Sequence, residues 1–170
     1  MDFAGRSIHG VPRYARQQAE HPVLLLEGDV RVPRSLLPDD LVELPRVSFL
    51  EQYHNPDNLY LPASNWSGMP LRAIIDLAGP NPEAGWIHIS AGPYATVVAM
   101  PDADDVLLCD GLDDIPIPAE RGGPWRLVKP DDPYFTSVKW VDRITVSIAE
   151  PDNSAERIAQ ARQRARDAKA

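Results

Sequence analysis

Eighteen prolines spread through 170 residues set the strongest limit on what this chain can become. Proline lacks the N–H that a helix interior needs and pushes the residue before it toward extended backbone, so long helices are excluded over most of the sequence. Pairs such as Pro80 with Pro82 and Pro116 with Pro118 make short, stiff connections. The expectation is an α+β domain, strand-dominated and mixed, with few short helices. A chain of this length can bury roughly two thirds of its unfolded surface, which is enough for one core.

The strands announce themselves by composition. Pro22 to Val30 is a Leu and Val run closed by Gly28-Asp29, and Val47 to Leu50 is extended. Trp86 to Ser90 alternates apolar and polar residues, so His88 reads as a strand-face residue. Tyr94 to Met100 is β-rich, Val106 to Cys109 is a buried strand or helix segment, and Arg126 to Val128 and Ile144 to Ile148 complete the set. Asp39 and Asp40 ahead of Leu41 suggest a helical turn with acids at its favoured end. Trp66 to Pro70 reads as a turn, followed by a short helix with Leu71, Ile74, Ile75 and Ala78 on one face, stopped by Gly79 and Pro80. Residues 1–21 form an N-terminal arm that lies on the domain or stays mobile, 22–149 the domain, and 150–170 a helical tail with Ser154 as its expected N-cap.

Charge and cysteine count narrow the chemistry. Lys plus Arg number 17 against 25 Asp plus Glu, a net charge of −8, which disfavours nucleic acid as a partner. An anionic ligand would need local cations and backbone N–H groups working against that field. The single cysteine, Cys109, can form no intramolecular disulfide and no Cys-based zinc site. Asp102 to Asp105 and Asp131-Asp132 lack the spacing of a calcium loop and read as solvated turns, so no metal site is expected. No stretch approaches a membrane span and no apolar leader opens the chain, so the expected location is cytoplasmic.

Between Glu51 and Asn65 the sequence turns to Tyr, His, Asn, Pro and Asp, the composition of a long loop that carries function on a rigid scaffold. His54 is a candidate general base, since imidazole titrates near neutrality, with Glu51 or Asp57 to orient it. Tyr53 and Tyr94 are candidate hydroxyl donors. Ser137 and Lys139 are a candidate anion clamp, set against a plain reading of Lys139 as a solvated strand-end lysine with Trp140 in the core. Arg126, inside an apolar strand, reads as one half of a buried ion pair rather than a substrate contact.

A series of segments, in order, resembles one known family. Leu24-Leu25-Leu26-Glu27-Gly28-Asp29-Val30 with Pro33 and Leu41 to Pro45 is one. Trp66-Ser67-Gly68-Met69-Pro70-Leu71 with Leu77-Ala78-Gly79 is another, and Gly92-Pro93-Tyr94 a third. Most specific is Gly122-Gly123-Pro124-Trp125-Arg126-Leu127-Val128 followed by Ser137-Val138-Lys139-Trp140-Val141. Together they resemble the oxidoreductase molybdopterin-binding domain of sulfite oxidases, plant nitrate reductases and the bacterial methionine-sulfoxide-reductase catalytic subunit. The resemblance implies that fold, and implies that the Ser137 to Trp140 loop lies beside the anionic end of a cofactor. His9, in Ile8-His9-Gly10-Val11-Pro12, faintly resembles the "Asn-His-x-x-x-Pro" segment of sulfite oxidases, without its Asn, and so joins Tyr53, Ser137 and Lys139 as a candidate cofactor contact.

The resemblance also implies a molybdenum-binding cysteine after Val47 to Leu50, where this chain has Glu51-Gln52-Tyr53-His54. Carboxylate, amide and imidazole do not reproduce a soft thiolate. Three readings follow. The favoured one is a repurposed domain that binds a small organic molecule in the old cofactor cleft without any cofactor and catalyses an acid/base step such as cyclisation, elimination or isomerisation through His54, Glu51 and Tyr94. The second is a molybdopterin-dependent oxidoreductase with an unusual metal ligand. The third is a non-enzymatic binding or assembly module acting through the acidic surface and the terminal helix. The oligomeric state is left open.

Overall fold

The computed structural model describes residues 11–51, 63–130 and 137–168. Among these, the architecture is the strand-dominated α+β domain that the prolines demand, built from two sheets and three α-helices.

The first sheet runs β2 (Arg34–Leu36), β1 (Leu24–Gly28), β10 (Arg143–Ser147), β5 (Trp86–Ala91), β6 (Tyr94–Ala99). β1 and β10 are parallel, joining the two ends of the domain, and the other neighbours are antiparallel. Alternation fixes the faces. Leu24 and Leu26, Ile87 and Ile89, and Ile144 and Val146 all point into the core, where burying each stabilises by about 1.5–3 kcal/mol. His88 sits on the other face opposite Thr145 and Val97.

The second sheet runs β3 (Val47–Glu51), β4 (Ser64–Pro70), β7 (Leu107–Leu112), β8 (Ile115–Pro116), with β9 (Arg126–Val128) also pairing β7. It is apolar on both faces. Met69, Leu108 and Leu127 join the main core, together with Leu71, Ile74 and Ile75 of α2 (Leu71–Asp76). Trp66, Leu107, Cys109, Leu112 and Val128 form a second cluster, with Phe49 against it.

Three local expectations are corrected. Trp66 to Pro70 is a strand rather than a turn, because Gly68 lets the backbone come so close to β7 that a Cβ there would lie 2.3 Å from the Leu108 carbonyl oxygen. Ser64 and Asn65 belong to that strand instead of the preceding loop. In α3 (Ser154–Asp167) the N-cap is Asn153, whose side chain accepts the Glu156 N–H at 3.1 Å. Ser154 is diverted to the sheet, where its hydroxyl accepts the Ala95 N–H at 2.8 Å and satisfies a donor of the edge strand β6. Leu107 to Cys109 resolves as strand, and the Asp39-Asp40 turn is a short 3-10 helix, Pro38–Leu41.

The arm is not featureless. Residues Arg13–Glu20 form α1, which lies on the domain by burying Ala15 and Gln18. The Gln18 amide donates to the Val141 carbonyl at 2.8 Å and accepts the Val23 N–H at 3.2 Å, so one side chain ties the helix to two parts of the domain.

Candidate functional site

Arg126 stands on β9 directly opposite Cys109 of β7 and is 2% exposed. A guanidinium can be held this deep only if its donors are satisfied. Nε donates to the Ser137 hydroxyl at 2.8 Å and Nη1 to the Arg121 carbonyl at 3.0 Å, while the cationic carbon lies 4.9 Å from the Trp66 ring centre. Ser137 in turn donates its proton to the Leu127 carbonyl at 2.9 Å. Its hydroxyl thus serves as a relay between Arg126 and the β9 backbone.

The loop that follows Ser137 is held in an unusual shape. Trp140 has a φ of 56°, a left-handed conformation that costs a bulky residue about 1–3 kcal/mol. Two hydrogen bonds offset this cost, from Trp140 N to the Gly122 carbonyl at 2.9 Å and from the indole N–H to the Ala119 carbonyl at 2.7 Å. Gly122 (φ 99°) leaves room for the Lys139 stem, which a Cβ there would meet at 2.7 Å. Folded back this way, the Lys139 ammonium lies 5.5 Å from the Trp140 ring centre.

Tyr14, a residue of the arm that the sequence does not single out, links this loop to the Gly92-Pro93-Tyr94 turn. Its ring meets Trp140 edge-on at 6.3 Å and covers Gly92 so closely that a Cβ there would lie 2.6 Å from it. Asp142 sits at the same point, 3.5 Å from the Gly92 N–H, and half burial pushes its carboxyl above the usual range. The Tyr14 phenol is raised as well, first by burial and then by Asp142.

The structure gathers Ser137, Lys139 and Arg126 at one place. Tyr94, partly buried against the main core, starts the edge strand of the first sheet, whereas Glu51 ends the edge strand of the second, opposite Ser64. Glu51 shares its strand face with Phe49, which packs on the Trp66 cluster. His9, Tyr53 and His54 lie outside the described residues.

Cys109 lies mid-strand and is fully buried. Burial, and next the adjacent Asp110 carboxylate, push its thiol up to about 12, so it stays protonated at neutral pH. No group of three or more His, Cys, Asp or Glu residues that could hold a metal occurs among the described residues.

Two packed sheets and three short helices match the sulfite-oxidase-type molybdopterin-binding fold. The family model described as "Oxidoreductase molybdopterin binding domain" matches residues 9–155, and the chain belongs to that family. Among solved structures, it is similar to "Crystal Structure of the Sulfane Dehydrogenase SoxCD from Paracoccus pantotrophus", with a TM-score of 0.68 and 23% identity. The likeness covers 78% of this chain and 39% of that one, so this chain spans well under half of its length. No curated protein matches the chain. The family's cofactor is molybdopterin, and the one cysteine of this chain, Cys109, is fully buried inside β7.

Proposed function

We propose that this domain binds a small organic molecule in the family's cofactor cleft and carries out a proton-transfer step there, a cyclisation, elimination or isomerisation, without molybdenum. The observation that supports this reading is the placement of Cys109: the one thiol in the chain is fully buried inside β7. Lys139 supplies a local cation for an anionic group of the ligand, held by its packing on Gly122 and Trp140. Glu51, the last residue of β3, supplies a carboxylate able to move a proton. Arg126 fixes the start of the Lys139 loop through its hydrogen bond to Ser137.

The match of the family model over residues 9–155 favours the second reading, a molybdopterin-dependent oxidoreductase with an unusual metal ligand. One preparation from a host that makes molybdopterin separates the two. The expected result is no sulfite-dependent reduction of ferricyanide, together with solvent-deuterium incorporation into one of a panel of small carboxylic acids, lost in Glu51→Gln. Ferricyanide reduction that scales with bound molybdenum would overturn the proposal.

A further inference from the structure

A cleft of about 370 Å³ opens where the end of α1 meets the far end of the second sheet. Its walls include Ala19, Pro38, Pro116, Ala119 and Trp125, and Asp110 is the one charged side chain among its described lining residues. None of Glu51, Tyr94, Ser137 or Lys139 lines it, so it stands apart from the site considered above.

Asp110 owes its position to an irregularity in the strand. β4 and β7 pair Ser67 with Gly111 and then Gly68 with Cys109, which leaves Asp110 as an extra residue without a partner on β4. Bulges of this kind re-aim a side chain away from the regular pleat and are over-represented beside binding sites. Arg46 fixes the carboxylate, donating from Nη1 to Oδ2 at 3.2 Å and from Nη2 to Oδ1. A carboxylate accepts about four hydrogen bonds, so Arg46 leaves capacity on both oxygens. The side chain is one-third exposed and can be reached.

The chemistry of the walls selects the sign of the ligand. Prolines carry no N–H and alanine side chains offer neither donor nor charge, so Asp110 is the charged group that the wall itself presents to a ligand, with Arg46 paired to it from beside the cleft. A chain of net charge −8 adds a long-range field that draws cations. The volume sits near the lower end of the roughly 300–1,000 Å³ usual for small-molecule sites, enough for one ring and a short arm.

We infer that this cleft is a second binding site, which takes a small organic ammonium ion: its apolar body lies against Trp125, Ala19 and Ala119, and its N–H groups donate to Asp110.

The test uses benzylamine and its neutral analogue benzyl alcohol, titrated into the full chain and followed by amide NMR and calorimetry. Benzylamine is expected to shift the resonances of Ala19, Ala119 and Trp125, and to bind at least tenfold more tightly than the alcohol. Asp110→Asn is expected to weaken benzylamine about tenfold, the size of one charge-assisted hydrogen bond, and to leave the alcohol unchanged. Ala119→Leu, which fills the cleft, should abolish binding of both and stands in should the Asn variant fail to fold. Equal binding of amine and alcohol, shifts elsewhere than the cleft, or an Asp110→Asn variant that binds benzylamine as well as the native chain would each overturn the inference.

Discussion

The guanidinium of Arg126 lies 4.9 Å from the centre of the Trp66 indole, and the two side chains together form the inside of the second sheet's outer face. Arg126 is almost wholly buried, so removing it takes a donor from the Ser137 hydroxyl and the Arg121 carbonyl and leaves a cavity over the ring. Arg126→Ala is expected to lower stability by about 3 kcal/mol in urea denaturation. Arg126→Lys keeps the charge but not the fork of donors, and should recover only part of that loss.

The state of Cys109 can be read directly. A buried thiol raised to about 12 is almost entirely protonated at pH 8 and out of reach of a disulfide reagent. Titration with such a reagent should find no reactive thiol in the folded chain and one per chain in guanidinium. Rapid modification of the native protein would contradict the placement of Cys109 inside β7.

Asp142 makes stability depend on pH. Its folded pKa is raised, chiefly by burial, so the folded state keeps its proton to higher pH than the unfolded chain does. Below both values Asp142 is neutral in each state and costs nothing. As pH rises through the ordinary carboxylate range to just above it, the folded state loses that advantage. Asp142→Asn should therefore match the native chain at pH 3 and exceed it in Tm at pH 7. A native chain more stable than the variant at pH 7 would show that the contact with the Gly92 N–H outweighs the burial cost.

Gly92 tests the link between the arm and the Trp140 loop. Its φ of 54° disfavours any other residue, and a Cβ would meet the Tyr14 ring at 2.6 Å. Gly92→Ala should cost about 1–2 kcal/mol and change the tryptophan fluorescence as Tyr14 leaves Trp140. Tyr14→Ala should change the fluorescence in the same way without the backbone cost.

Much of the fold was legible because alternation speaks plainly. Leu24 and Leu26, Ile87 and Ile89, and Ile144 and Val146 carry a period of two, and the residues turned to the core are the ones it names. Trp66 to Pro70 misled because Gly and Pro at Gly68 and Pro70 mark turns as readily as they mark a strand that crowds its neighbour. Asn153 and Ser154 are both good caps, and only the unpaired Ala95 N–H decides between them.

Arg126 and Ser137 belong to one sequence motif, and a hydrogen bond from Arg126 Nε to the Ser137 hydroxyl joins them in the fold. Tyr14 was invisible in the sequence. Nothing in the irregular composition of the arm points to Gly92 and Trp140, which become its neighbours only when the chain ends meet across β1 and β10. The role of Asp110 likewise depends on a bulge that no local pattern announces.

The central claim is that this member of the family works without bound molybdenum. It is tested most directly by molybdenum and released pterin per chain, measured on protein purified from a host that synthesises molybdopterin. The account predicts molybdenum far below one per chain; stoichiometric molybdenum with pterin would contradict it and direct the search for a ligand to the residues from Glu51 to His54.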